Sequence, residues 1–334
     1  MKRIGLIDVD SKGFPNIALM KISAYHKQNG DNVEWYNTFG ERYDRVYISK
    51  VFSFTPDHDY CVNADEVVFG GTGYAIRLQD GKEIFDKSKD ASLPFEIEHT
   101  YPDYSLYNIT NTAYGFLTRG CPRGCDFCIV GCKEGKRSIK VSDLAEFWNG
   151  QKNIILCDPN ILACPDWKDL LTQLANSKAW VDFNQGLDIR LITPEKIELL
   201  NKIKMREVHF AWDRYEDKDL VLAKLKEYAQ LGRMRVVQHR IVYTIVNFNT
   251  TFEQDLERIY TLRELGYWAY VMIYDKEHCD KRYKELARWV NNRFVFAKCE
   301  RFEDYKITSK MGGGRISPSR LREFNSRQLE LFDV

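Results

Sequence analysis

From residue 112 onward the sequence alternates between short apolar runs rich in β-branched residues and stretches whose apolar side chains recur at helical spacing. The strand-like runs fall at 112–118, 153–158, 179–184, 207–211, 236–245 and 268–274. Strands separated by helices re-enter a sheet from the same end, so they pair in parallel and all strand-to-helix loops open at one edge. Six such units over about 170 residues fall two short of a closed eight-stranded barrel. The alternation predicts a partial (β/α)6 TIM-like barrel, with any chemistry at the C-terminal ends of its strands. Its clearest helix follows Thr251, with Phe252, Leu256, Ile259 and Leu265 on one face and Gly266 as its stop.

The first hundred residues also read as strands and helices. RIGLID (3–8), NVEWY (32–36), RVYIS (45–49) and EVVFGG (66–71) are strand-like, and a helix-spaced stretch runs from Pro15 to Gly30. These predict a small Rossmann-like α/β domain over 1–95. Its FGGTGY segment is either a site of close backbone approach to a ligand or simply a turn that needs positive φ. Residues 96–111 read as a connector, 112–300 as the partial barrel and 301–334 as a C-terminal tail.

Hydrophobic residues make up 44% and charged residues 29% of the 334, which is the balance of a chain with a packed core. A net charge of +1 excludes a protein drawn to nucleic acid by bulk charge alone. The sequence contains no apolar run long enough to span a membrane, and MKRIGLIDVD turns acidic too early for an export signal. The expectation is a cytoplasmic protein without membrane contact.

In such a compartment cysteines remain reduced, and clustered ones serve metal or redox chemistry. Of nine cysteines, Cys121, Cys125, Cys128 and Cys132 lie together in GFLTRGCPRGCDFCIVGC, directly after the first barrel strand. A structural zinc site commonly joins two distant cysteine pairs, and no matching second pair exists. Three close thiolates suit an iron-sulfur cluster with one iron left open. The contrasting reading is a non-catalytic module whose structural zinc takes Cys132 as fourth ligand.

Cys121-x-x-x-Cys125-x-x-Cys128, with Phe127 just before the third cysteine, resembles the signature of the radical S-adenosylmethionine (radical SAM) superfamily. The resemblance spans 112 to about 275. It implies that Cys121, Cys125 and Cys128 ligate a 4Fe-4S cluster, that SAM chelates the open iron, and that an external reductant such as flavodoxin or ferredoxin supplies an electron. SAM is then cleaved to methionine and a 5'-deoxyadenosyl radical, which abstracts hydrogen from a substrate. Cys132 is excluded as a ligand because it would take the iron that SAM needs. The same resemblance makes the strand ends SAM-binding candidates: Asp158 and Asn160 in CDPNIL, and Asn184, Gln185 and Arg190 in DFNQGLDIR. Trp212, Asp213, Asn247 and Asn249 occupy the next two ends. Asp158 and Asn160 read equally as helix caps, and Arg190 as a structural ion-pair partner.

An α/β domain before the barrel is similar to the arrangement in cobalamin-binding radical SAM enzymes. The Asp-x-His-x-x-Gly motif for the lower cobalamin ligand is missing, since His58 follows Asp57 directly. Cobalamin is therefore not favoured, and a cobalamin-dependent methyltransferase stands as the alternative. Methylthiotransferases carry three more cysteines in that domain, where this chain has only Cys61. The scattered Cys157, Cys164, Cys279 and Cys299 do not read as a second cluster. Trp212, Tyr243 and Tyr274 read as barrel packing, one of them a candidate hydrogen-atom relay. In the tail, Gln328, Leu329, Glu330, Leu331 and Phe332 resemble the pentapeptide that docks bacterial replication and repair proteins into the sliding clamp, which makes nucleic acid the first-choice substrate class. The same segment read blandly packs onto the protein's own surface.

Overall fold

The computed structural model describes residues 1–11, 13–79 and 82–305, so the clamp-like segment at 328–332 lies outside the described residues. Strand β1 (Arg3–Asp8), helix α1 (Ile17–Gln28), β2 (Asn32–Trp35), β3 (Tyr43–Ser49) and β4 (Ala64–Gly70) open the chain. The strands form one parallel sheet in the order β2-β1-β3-β4. Only α1 is a long crossover helix, because β2 to β3 and β3 to β4 are joined by loops. Asn16 caps α1, its Oδ1 accepting from the Leu19 amide at 3.1 Å while its Nδ2 donates to Ser49 Oγ at 2.8 Å, which ties the helix start to the end of β3.

The FGGTGY glycines answer a need of the fold itself. Gly71 has φ of 92°, and a Cβ there would sit 2.3 Å from the Lys50 carbonyl oxygen. Helix α2 (Thr72–Ala75) follows, then an antiparallel hairpin of β5 (Ile76–Gln79) and β6 (Lys82–Phe85) absent from the sequence reading, then helix α3 (Phe95–Glu98). The connector is packed rather than loose. Tyr104 is buried, donates to the Phe147 carbonyl at 2.7 Å and accepts from the Tyr114 amide at 3.0 Å, while the Tyr107 hydroxyl donates to Asp8 at 2.6 Å. Its aromatic residues thereby bond to both halves of the chain.

Beyond it come β7 (Thr112–Gly115), β8 (Thr118–Arg119), α4 (Val130–Lys133), β9 (Ile139–Lys140), β10 (Asn153–Leu156), α5 (Trp167–Ser177), β11 (Trp180–Phe183), α6 (Pro194–Lys202), β12 (Val208–Ala211), α7 (Lys218–Leu231), β13 (Arg240–Val246), α8 (Phe252–Glu264), β14 (Trp268–Ile273), α9 (Lys281–Asn291) and α10 (Arg293–Lys298). Two parallel sheets result, β11-β10-β7 and β12-β13-β14. They meet through Val181 N–H to the Lys204 carbonyl and Leu187 N–H to the His209 carbonyl, both at 2.8 Å, so the six long strands stand side by side in chain order. The first crossover departs from expectation, because α4 is a single turn and the space of a helix is taken by the cysteine loop. Ala113, Ile154, Val181, Phe210 and Val242 turn into the helix-covered core, and Phe302 still packs on Trp289 at a ring separation of 5.7 Å. Among the described residues no helix is long and apolar enough to cross a membrane.

Helix α8 carries the expected apolar face and a Thr251–Gln254 capping box, but also a charged pair that pattern reading missed. Asp255 and Arg258 are both fully buried and ion-paired. Arg258 donates to the carbonyls of Trp212 (2.7 Å), Asp213 (3.1 Å) and Ile245 (2.6 Å), and Asp255 accepts from the Asn247 amide at 3.0 Å. The pair thus fastens the ends of β12 and β13 to one helix. Removing one member leaves an uncompensated buried charge, so Arg258→Leu is expected to lower unfolding free energy by about 3–5 kcal/mol in urea melts. An unchanged midpoint would refute this role.

Candidate functional site

The cysteine loop leaves the sheet at its C-terminal edge and is clamped at its base by the two-residue antiparallel ladder of β8 and β9. Its first turn admits only glycine. Gly120 has φ of 83°, and a Cβ there would lie 2.2 Å from the Arg137 carbonyl oxygen. Glu134 accepts from Arg119 at 2.9 Å and from the Gly120 amide at 3.2 Å, and the Cys121 amide donates to the Gly135 carbonyl at 3.1 Å. Farther along, Phe127 packs edge-on against Phe248 at 5.2 Å, and Phe248 against Tyr274 at 4.7 Å. The loop is therefore anchored at β7 and again beyond the end of β13.

Asp158 holds the root of this loop. It is buried, and both oxygens are committed to the chain between β7 and β8: they accept from the Leu117 amide (3.1 Å), the Thr118 amide (2.6 Å) and the Thr118 hydroxyl (2.6 Å). Its carboxylate is thus spent on the loop's own backbone. Burial pushes its pKa up to about 6, against the opposing pull of those donors.

Asn160 lies at the centre of what the structure does bring together. Its Nδ2 donates to Cys121 Sγ at 3.5 Å and to Asp188 at 3.2 Å, while its Oδ1 is buried with no partner among the described residues. Asp188 also binds Arg123 of the cysteine loop and, at 2.8 Å, Arg190, which in turn pairs with Asp217. These arginines hold the Asp188 carboxyl below its usual range despite burial, and the two carboxylates raise Arg190. The sequence reading missed Asp188, although it stands two residues before Arg190. Asn184 is half-buried with its carbonyl 3.4 Å from the Tyr243 hydroxyl, and Gln185 is exposed. Among the described residues neither is hydrogen-bonded to the Asn160 network.

The three signature thiols share one neighbourhood. Partial desolvation raises the Cys125 thiol, which is half-buried, and also that of Cys128 although that residue is exposed, with Asp213 and the neighbouring cysteines adding to the rise. Such thiols become thiolates only beside a positive partner, which is what a metal cluster provides. Cys132 is exposed on α4. Among the described residues no three His, Cys, Asp or Glu side chains converge as they would around a single metal ion. Cys157 and Cys164 are buried, with Cys157 pushed up to about 12 by burial. Trp212 is buried in the core with its indole N–H on the Arg214 carbonyl at 3.0 Å, and Asn247 donates to the Tyr274 carbonyl at 2.9 Å.

Two solved structures share this architecture over most of their length. The radical S-adenosylmethionine methyltransferase TsrM from Kitasatospora setae, with cobalamin and a 4Fe-4S cluster bound, matches with a TM-score of 0.54 and 12% identity over 81% of this chain and 75% of that one. The same methyltransferase with tryptophan substrate and the SAM analogue aza-SAM matches with a TM-score of 0.56 and 12% identity over 82% and 73%. No protein-family model and no curated protein matches the sequence. The likeness establishes the fold alone: a small parallel α/β domain followed by six parallel strands with their helices.

The raised pKa of Asp158 has a measurable consequence. Its native value exceeds the ordinary 3.8, so the native state binds the proton more tightly. The resulting stabilisation is fully present below about pH 4 and is lost as pH rises through about 6, a change of about 3 kcal/mol. Asp158→Asn is expected to lack this part of the pH dependence in urea melts between pH 4 and 7. Parallel curves for variant and parent would refute it.

Proposed function

We propose that this protein is a radical SAM enzyme whose cluster is held by Cys121, Cys125 and Cys128 on the loop after β7. The observation that carries the reading is a loop of three thiols anchored over the C-terminal edge of six parallel strands, with the orphaned acceptor of Asn160 beside Cys121. A reduced 4Fe-4S cluster supplies the electron that cleaves SAM. Asn160 Oδ1 offers an acceptor to the amino group of SAM, in keeping with the sequence expectation for that position. Arg190, saturated by Asp188 and Asp217, acts on the site by orienting Asp188 and through it Asn160 and Arg123. Asp158 supports the site from below through Leu117 and Thr118.

A second reading has its own observation. An open cavity of about 500 Å3 lies between the ends of β1 and β2 and the inner side of β7, lined by Asp8, Ser11, Phe14, Trp35, Tyr107 and Tyr114. Its aromatic faces and hydroxyls would contact one side of a corrinoid, a ligand larger than this open cavity, and the lining residues include no histidine. The fold likeness to a cobalamin-bound methyltransferase supports a histidine-free cobalamin site here. A methyl transfer to a ring substrate, nucleic acid among them, is the corresponding reaction.

Anaerobic reconstitution with iron and sulfide is expected to give a brown protein that forms 5'-deoxyadenosine from SAM with dithionite. The Cys121, Cys125 and Cys128 triple alanine variant is expected to lose iron and product together. Stoichiometric zinc with SAM left intact would overturn the proposal in favour of a structural metal module. Hydroxocobalamin is expected to co-elute with the parent protein on gel filtration and to separate from Trp35→Ala. Separation from the parent protein as well would sink the corrinoid reading alone.

A further inference from the structure

In a parallel sheet, residues in register share a face, and the six strands carry one continuous row on the side away from the helices. Tyr114, Ile155 and Asp182 are in register across β7, β10 and β11, and Ala211, Tyr243 and Tyr270 across β12, β13 and β14. His209 closes the gap between these halves. Its ring lies nearly parallel to Tyr243 (19°, centroids 5.2 Å apart), and its Nδ1 is 3.4 Å from Asp182 Oδ1.

That pair is unfinished. At 3.4 Å it is an ion pair without a formed hydrogen bond, and among the described residues neither buried atom, His209 Nδ1 or Asp182 Oδ1, has a hydrogen-bond partner. Native structures rarely leave a donor and an acceptor side by side without a hydrogen bond, and here the His209 side chain is 12% exposed while that of Asp182, 46% exposed, keeps contact with solvent. The other side of the ring is accounted for: His209 Nε2 faces Glu207 at 3.5 Å, and Glu207 is bound by Arg293 at 2.8 Å. Beside the pair the row ends in open apolar surface, with Tyr270 44% and Met272 39% exposed on strand β14. Tyr270 stands edge-on to Tyr243 at 5.9 Å.

Resting on the radical SAM reading, we infer that Asp182 and His209 form a substrate-recognition site for a planar heterocycle whose edge sets a ring N–H beside a carbonyl, as in a cyclic amide. The N–H donates to Asp182 Oδ1 and the carbonyl accepts from His209 Nδ1, which completes both orphaned groups. The ring lies along the aromatic surface of Tyr243 and Tyr270. Tyr243 links this floor to the site above, because its hydroxyl reaches the Asn184 carbonyl and its ring packs on Gly186, two residues before Asp188. An indole, which has a donor but no adjacent acceptor, fills only half of such a site.

The test is isothermal titration calorimetry on the reconstituted protein with SAM present, using guanosine and uridine as cyclic-amide probes and tryptophan as the indole probe. At least one nucleoside is expected to bind. Asp182→Asn and His209→Phe are each expected to weaken it about tenfold, the usual effect of an unpaired buried edge, while SAM affinity stays at the parent value. Near-UV circular dichroism checks folding, and His209→Gln replaces His209→Phe if that variant is unfolded. Nucleoside binding that the variants leave unchanged overturns the site, as does tryptophan binding in preference to both nucleosides or binding of none of the three. Loss of SAM binding in the parent protein itself strikes instead at the radical SAM reading.

Discussion

The chain between β7 and β8 is held in place by one buried carboxylate. Asp158, two residues past the end of β10, takes the amides of Leu117 and Thr118 and the Thr118 hydroxyl, so the start of the cysteine loop is fixed to the neighbouring strand by its backbone. Backbone amides leaving a strand end have lost their ladder partners and must be paired elsewhere when buried. A carboxylate satisfies three donors at once, and burial then sets the price as a raised pKa. Everything the loop carries, including Gly120, Cys121 and Arg123, is positioned relative to that anchor.

The same solution recurs at the far side of the sheet with opposite sign. Arg258 collects the carbonyls that emerge from β12 and β13, as Asp158 collects amides from β7. Asp255 neutralises it and takes the Asn247 amide. Parallel strands send all their exits to one edge, so that edge accumulates unpaired backbone groups. Buried charges that tie these exits together also make the edge rigid enough to carry a site. Between the two anchors, Asn160 and Asp188 join Cys121 to Arg190 and Arg123.

Much of this was legible from residue order. The six long strands lie within a few residues of the runs that predict them, because apolar, β-branched stretches between helix-spaced segments have few other solutions. Tight spacing of Cys121, Cys125 and Cys128 marked the loop, and Asn160 and Arg190 were marked by their place after strands. The hairpin of β5 and β6 escaped notice because it is short and charged. The missing first crossover helix escaped because a cysteine loop and a helix both return a chain to the start of a sheet.

Periodicity and spacing act along the chain, so residue order is enough to set the alternation, the parallel edge it produces and the presence of three thiols there. Which polar residues face one another was decided only by tertiary structure. Asp182 and His209 are ordinary strand residues in sequence, and they meet because register aligns β11 with β12 across a junction. Asp158 read as a ligand candidate or a helix cap, and became an anchor because Leu117 and Thr118 arrive beside it from a strand about forty residues earlier. Register and burial are relations between segments distant in the chain, and no local pattern encodes them.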